Sequence, residues 1–446
     1  MNIREDLIQK YNVAAPRYTS YPPVPFWQRT PSQNEWIDHV KTKYDPNTGL
    51  DLYVHIPYCE SLCYYCGCNR TISKDHGVEE EFVSTLLKEW ELYCNLLGFT
   101  PKVGSLHLGG GTPTYLSPSN LRKILDTLTK NKTESFIGSI EVDPRTCTKE
   151  HIQLLIDVGV KRVSLGIQDF DPKVQAAINR YQSPAMVKSL VEHLRKSGVT
   201  SINFDLIYGL PLQTVQSIEE TIKEARSLGP DLIAFYSYAH LPDRIKNQRL
   251  IKEAELPSGP KKRELYEVGK ALLAEAGYSD VGMDHFARPG SYLHEALKNH
   301  ELHRNFMGYV DKKSSVLLGL GPSSISDSSL SFMQNQKEIK VYYSSIQAGN
   351  LAIEKGHIQS SEDLLVQETI QRLMCRDEVD LTKVKSLSDW TAIEAELRGY
   401  QQDGLITIKA NEMRLSRLGK AFMRNVATSF DFYLRRSKNI KFSQTI

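Results

Sequence analysis

Between about residue 50 and residue 284, short runs of β-branched, leucine and aromatic residues alternate with stretches whose apolar positions recur three or four apart. The short runs predict strands at 52–56, 105–108, 139–142, 162–167, 202–207 and 232–238, with a weaker one at 280–283. The amphipathic stretches at 79–97, 118–131, 149–158, 184–197, 215–227 and 261–276 predict helices between them. A strand–helix unit returning roughly every 30 to 45 residues builds a parallel sheet. The expected fold is therefore α/β, a partial six-unit, TIM-like (β/α) barrel.

Barrels of this kind carry their chemistry at the C-terminal ends of the strands. There the sequence places Pro57-Tyr58-Cys59, Gly109-Gly110-Gly111-Thr112, Glu141-Val142-Asp143, Gln168-Asp169, Asp205, Tyr238-Ala239-His240 and Asp284-His285. Outside the repeat, residues 1–45 predict an irregular arm rich in Pro and Tyr, and 46–355 the barrel with its extension. Residues 356–446 predict a mainly helical, winged-helix-like module whose strands at 405–409 and 413–415 flank a polar turn at 410–412.

Composition narrows the class. Hydrophobic residues at 40% and charged ones at 24% are those of a globular protein, and a net charge of +2 gives no reason to expect nucleic acid. No apolar run is long enough to span a bilayer, and residues 1–11 are charged without an apolar core. A cytoplasmic location with no membrane partner is expected. With no coiled-coil seam in the sequence, a monomer is expected as well.

Of seven cysteines, Cys59, Cys63, Cys66 and Cys68 fall together directly after the first strand; Cys94, Cys147 and Cys375 are scattered. Clustered thiols in a reducing compartment point to metal or redox chemistry. The C-x3-C-x2-C spacing of Cys59, Cys63 and Cys66 can hold three irons of a 4Fe-4S cluster and leave the fourth open to S-adenosylmethionine (SAM). A structural zinc site is the competing reading, but such sites usually gather two ligand pairs separated by a longer stretch. Cys68 is either a fourth ligand or a neighbour that does not ligate. Gly109 to Thr112 lets the backbone approach a ligand closely and offers amides. Glu141, Gln168 and Asp205 suit ribose hydroxyls or an ammonium group, and Arg180 suits a carboxylate. His240, His285 and His303, with Arg288 and Arg304, offer partners for a polycarboxylate, although each histidine alone is more often structural.

These motifs together resemble the oxygen-independent coproporphyrinogen oxidase (dehydrogenase) family of radical SAM enzymes. The resemblance is carried by Pro16-Arg17-Tyr18-Thr19-Ser20-Tyr21-Pro22, by the cysteine loop with its extra Cys68, and by 109–116, 141–145, 166–170, 205–211, 238–242, 282–289 and 303–306. It implies that Cys59, Cys63 and Cys66 ligate one 4Fe-4S cluster and that Tyr53, Gly110 and Glu141 contact the SAM bound to it. It further implies a second SAM touched by Tyr65, Gly111, Thr112, Gln168, Arg180, Asp205, Ala239 and Ile325. The sequence departs from the family at Tyr65, where phenylalanine is usual, and at 374–377.

The implied reaction is oxidative decarboxylation of two propionates of coproporphyrinogen III to vinyl groups, giving protoporphyrinogen IX in haem synthesis. An electron donor for the cluster and an electron acceptor are implied but not identified, and no catalytic side chain is assigned. A related haem chaperone, a relative using the second SAM for methyl transfer, and one that opens the haem ring are the alternatives. Cys68 and the 17–22 arm count against the chaperone.

Overall fold

The computed structural model describes residues 5–437 and 442–445. Contacts group the chain into two units, each assembled from separated segments: Arg29–Ser258 with Ser314–Ile358, and Met1–Gln28 with Gly259–Lys313 and Gln359–Ile446.

The first unit is built on six parallel strands in chain order: β1 (Leu50–Ile56), β2 (Val103–Gly110), β3 (Lys132–Val142), β4 (Val160–Gln168), β5 (Ser201–Tyr208) and β6 (Leu232–Ser237). Between them run α1 (Val78–Leu97), α2 (Pro118–Leu128), α3 (Lys149–Val158), α4 (Pro184–Lys196) and α5 (Val215–Ser227). The βα array anticipated from the hydrophobic period is present.

Local chemistry explains the helix starts and stops. The side chains of Ser117 and Ser183 accept from the N–H groups of Asn120 and Met186, with proline following in the first turn. Thr148 and Thr214 form capping boxes for α3 and α5. After α1 the backbone turns out through Gly98 at φ 81°.

On the far side of β1 lies a strand the sequence pattern did not predict, β7 (Leu317–Leu320), parallel to β1. It is followed by the antiparallel run β8 (Ile325–Asp327), β9 (Ser331–Asn335) and β10 (Ile353–Ile358). Buried Glu89 of α1 secures this extension, accepting from the Gly321 N–H at 2.8 Å, Asn335 Nδ2 at 2.6 Å and the Tyr342 hydroxyl at 2.7 Å.

In the second unit, Leu7, Tyr11, Tyr18 and Tyr21 pack in one core with Val366, Ile370, Met413 and Phe422. Tyrosines of the expected irregular arm are thus core residues, and Tyr18 donates to Asp431 Oδ2 at 3.0 Å. A three-stranded antiparallel sheet takes the order Glu378–Asp380, Glu412–Leu415, Ile406–Lys409. The strand expected at 280–283 proves not to be another parallel βα strand. Ser279–Gly282 pairs antiparallel with His285–Ala287, because Met283 takes φ 47° and Gly282 φ 141°, a turn that folds the chain straight back.

Candidate active site

A cavity of about 410 Å³ opens at the C-terminal ends of the parallel strands. Its wall includes Cys59, Cys63, Cys66 and Cys68 from the loop after β1, Gly110 closing β2 with Gly111 and Thr112 after it, and Glu141 and Asp143 of β3 and its end. Gln168 closes β4 and Asp205 sits in β5, with Arg180 reaching in from the following loop. The side chain of Gln168 is aimed by a backbone at φ 67°, an unusual conformation for a residue other than glycine.

The glycine run is needed for space. A Cβ on Gly110 would lie 2.8 Å from the His55 ring and from the Ile56 carbonyl. On Gly111 it would lie 2.7 Å from the Tyr58 carbonyl and 3.1 Å from Cys59 Sγ. The amides expected to face a ligand are instead used within the fold. Gly111 N–H donates to Ile56 O at 2.7 Å, Thr112 N–H to Tyr58 O at 2.9 Å, and Gly110 N–H to Glu141 Oε2 at 3.4 Å. The run thereby docks the β2 end against the cysteine loop.

Side-chain amides from outside the loop fix its course. Asn247 Nδ2 lies 3.3, 2.9 and 3.0 Å from the carbonyls of Cys63, Tyr64 and Cys66. Gln248 donates to Tyr65 O at 2.9 Å, and Asn179 to Leu62 O at 2.8 Å. The thiols turn inward: Cys59 Sγ is 3.2 Å from the Thr112 hydroxyl, and Cys63 Sγ is 3.6 Å from Arg180 Nη1 and 3.9 Å from Arg145 Nη2.

Charge is arranged around those thiols. Burial disfavours the Asp143 carboxylate, but Arg180 at 3.1 Å and Arg145 at 2.6 Å outweigh it and hold its pKa down at about 2. Glu141 lines the cavity with its side chain about half exposed; desolvation opposes its charge, yet His107 at 3.3 Å and the Gly110 N–H keep it below the usual carboxylate range. Asp205 goes the other way: burial raises it to about 6 against hydrogen bonds from Ser164 and Asn203. The hydrogen bond from Cys68 lowers the Cys66 thiol to about 6 despite burial, while burial pushes Cys59 up to about 11.

Three thiols on the wall of one cavity fit a 4Fe-4S cluster, in which each thiolate takes a separate iron. Among the described residues, no group of three His, Cys, Asp or Glu side chains meets at the spacing of a single bound ion. Of the residues expected at the site, Tyr53, Ala239 and Ile325 stand outside the cavity wall. Tyr53 is buried with its ring stacked on His107 and its hydroxyl 3.1 Å from His55 Nδ1. The Ala239 carbonyl accepts from Gln248, and Ile325 pairs with Gln334 in the extension. Sequence reasoning missed the Asn247 clamp altogether. It also gave no role to Arg145, Arg70 or Lys74, all of which line the cavity; Arg70 and Lys74 follow the cysteine run closely, which was a usable signal.

A parallel βα array with a three-cysteine loop after its first strand defines the class of radical SAM proteins, and residues 53–225 match the model of the Radical SAM superfamily. Over 451 aligned residues the chain is 37% identical to the oxygen-independent coproporphyrinogen III oxidase of Pseudomonas aeruginosa, covering 99% of this chain and 98% of that one. Identity to the Escherichia coli protein of the same name is also 37%, with the same coverage. The solved structure of E. coli coproporphyrinogen III oxidase, described as a radical SAM enzyme, superposes with a TM-score of 0.90 at 34% identity, over 97% of this chain and 99% of that one. The chain belongs to the family of oxygen-independent coproporphyrinogen III oxidases.

Proposed function

We propose that this chain converts two propionate side chains of coproporphyrinogen III to vinyl groups, giving protoporphyrinogen IX without oxygen. For each propionate, one hydrogen atom leaves the β-carbon, carbon dioxide leaves the adjacent carbon, and one electron passes to an acceptor, so that the remaining pair forms the alkene. The carrying observation is the single cavity in which Cys59, Cys63 and Cys66 face Glu141, Asp205 and Arg180, in a chain of this family.

A 4Fe-4S cluster held by the three cysteines supplies, when bound with SAM, the one-electron cleavage of the sulfonium that yields a hydrogen-abstracting radical. The protein's own groups bind and orient. Glu141, ionised beside His107, accepts the ammonium of the SAM nearest the thiols. Arg180 is fixed by Asp143 and the Gly166 carbonyl and presents its guanidinium to a carboxylate. Asp205, braced by Ser164 and Asn203, faces ribose hydroxyls, and the Tyr65 ring gives an apolar face.

Two SAM molecules occupy the site in this proposal; Gly111, Thr112 and Gln168 join Tyr65, Arg180 and Asp205 around the second, and Ala239 and Ile325 are assigned to it on resemblance alone. An external electron donor and an acceptor complete the cycle. The proposed setting is the cytoplasm, with a monomeric protein. Its cysteines are free, and among the described residues no helix is long and apolar enough to cross a membrane.

The test is anaerobic turnover of coproporphyrinogen III by the reconstituted protein with SAM, a reductant and cell extract as acceptor source. Protoporphyrinogen IX and 5′-deoxyadenosine are expected together, both lost in Cys63→Ala. Deoxyadenosine without a decarboxylated tetrapyrrole would overturn the substrate.

A further inference from the structure

Two guanidiniums converge on one sulfur of the cysteine loop. Cys63 is buried, and its Sγ lies 3.6 Å from Arg180 Nη1 and 3.9 Å from Arg145 Nη2. Cys59 Sγ lies instead against the neutral Thr112 hydroxyl at 3.2 Å.

Both guanidiniums are held by Asp143. Arg145 grips it as a fork, Nε donating to Oδ1 at 2.9 Å and Nη2 to Oδ2 at 2.6 Å, and its backbone N–H donates to Oδ1 at 3.0 Å. Arg180 Nη1 donates to the same Oδ2 at 3.1 Å, while its Nε donates to Gly166 O at 3.2 Å. The two nitrogens that hold Oδ2 are thus the two that reach Cys63 Sγ. Each terminal guanidinium nitrogen carries two hydrogens, so one can serve the carboxylate and the other the sulfur. The planar fork fixes that aim, which a lysine in the same place would not.

One carboxylate shared by two guanidiniums leaves one positive charge over. The side chains of Arg180 and Asp143 are 7% and 9% exposed and that of Arg145 is 21% exposed, so water and salt screen this charge only weakly. Net charge and hydrogen bonds at the sulfurs are among the factors that set the potential of an iron–sulfur cluster. Positive charge and N–H donors favour the state that carries one more electron.

We propose that Arg145, through its contact with Cys63, raises the reduction potential of the cluster, so that a weaker one-electron donor suffices to reduce it. This rests on the reading that Cys59, Cys63 and Cys66 hold a 4Fe-4S cluster, and it is independent of the tetrapyrrole. Arg145 acts through Cys63 and is a positioning residue. Asp143 aims both guanidiniums and also cancels part of their charge, so the carboxylate and Arg145 push the potential in opposite directions.

That opposition is the basis of the test. The reconstituted full-length protein, without SAM, is titrated anaerobically against applied potential while the electron paramagnetic resonance signal of the reduced cluster is followed. Wild type, Arg145→Gln, Arg145→Lys and Asp143→Asn are compared, with iron and sulfide assayed in each. Arg145→Gln removes a charge and should lower the ratio of reduced to oxidised cluster about tenfold at a given potential, a shift of about 59 mV to the negative for a one-electron couple. Arg145→Lys keeps the charge but loses the fork, and should fall between Arg145→Gln and wild type. Asp143→Asn leaves more positive charge beside Cys63 and should shift the potential to the positive.

A structural role alone would move Arg145→Gln and Asp143→Asn the same way, because both break the same fork, and that result overturns the proposal. Equal potentials in all four proteins overturn it too, and leave the cluster in place. If Arg145→Gln takes up no cluster, the sign of the Asp143→Asn shift decides. Failure of wild type to take up a 4Fe-4S cluster overturns both the cluster and the role of Arg145.

Discussion

Asn247 Nδ2 sits 3.0 Å from the carbonyl oxygen of Cys66, a residue 181 positions earlier, and the same nitrogen lies within reach of the Cys63 and Tyr64 carbonyls. Three carbonyls converging on one amide pin the backbone between two of the three inward thiols. Replacement by alanine leaves those carbonyls without that donor. Asn247→Ala should cost about 1–3 kcal/mol of stability, read as a lowered denaturation midpoint. Its reconstituted cluster should also bleach several times faster under chelator. A bleaching rate equal to wild type would mean the clamp does not hold the cysteine geometry.

Gly111 differs from Gly98 in what it is needed for. Gly98 ends α1 at φ 81° with nothing within 4 Å of an added Cβ, so Gly98→Ala should cost only about 1 kcal/mol, from the dihedral. At Gly111 a methyl would meet the backbone oxygen of Tyr58 at 2.7 Å and Cys59 Sγ at 3.1 Å, and neither can yield without moving the loop. Gly111→Ala should therefore reduce iron incorporation sharply, whereas Gly98→Ala should not. Iron and sulfide assay of the two reconstituted variants separates the cases.

Period and strand-end position account for what the sequence made legible. β1 to β6 are buried strands spaced by amphipathic helices, so their existence followed from hydrophobic pattern, and the residues at their ends followed from the barrel rule. β7 to β10 escaped because they are short and broken by Ser, Gly and Asn, and what fixes them is tertiary: a carboxylate from α1 reaching Gly321 and Asn335. The hairpin at Ser279–Ala287 was misjudged because a brief apolar run carries no direction. Within the site, Tyr53 and Ile325 came from resemblance alone and, like the strand-end Ala239, lie off the cavity wall, while Asn247 had no motif to announce it. A clamp made by one polar side chain depends on where the chain returns, which local sequence does not encode.

The Asp143 carboxylate links acid stability to the site. Its folded pKa of about 2 lies below the unfolded value of 3.8, so its contribution is present above pH 3.8 and is lost as pH falls through about 2. That shift corresponds to about 2 kcal/mol. Asp143→Asn should be less stable than wild type at pH 7 by a similar amount, with the difference closing below pH 3. A constant difference across that window would show that the loss is packing and not charge.

Glu89 reverses the sign. It is fully buried, and desolvation lifts its pKa to about 7 in spite of donors from Gly321, Tyr342 and Asn335. A carboxyl raised above its unfolded value of 4.5 favours the fold most at low pH, where both states are protonated. The contribution declines from about pH 4.5 and is lost as pH rises through 7. The full swing is about 3 kcal/mol. Between pH 5 and 8 wild type should lose stability on this account, and Glu89→Gln, which cannot ionise, should lack that part of the slope. Glutamine keeps an oxygen for Gly321 and Tyr342 but sets an amide against Asn335 Nδ2, so it should be the less stable protein at pH 5 and close the gap by pH 8. Urea denaturation at the two pH values measures both effects, and parallel slopes would show that Glu89 is already ionised in the folded protein at pH 5.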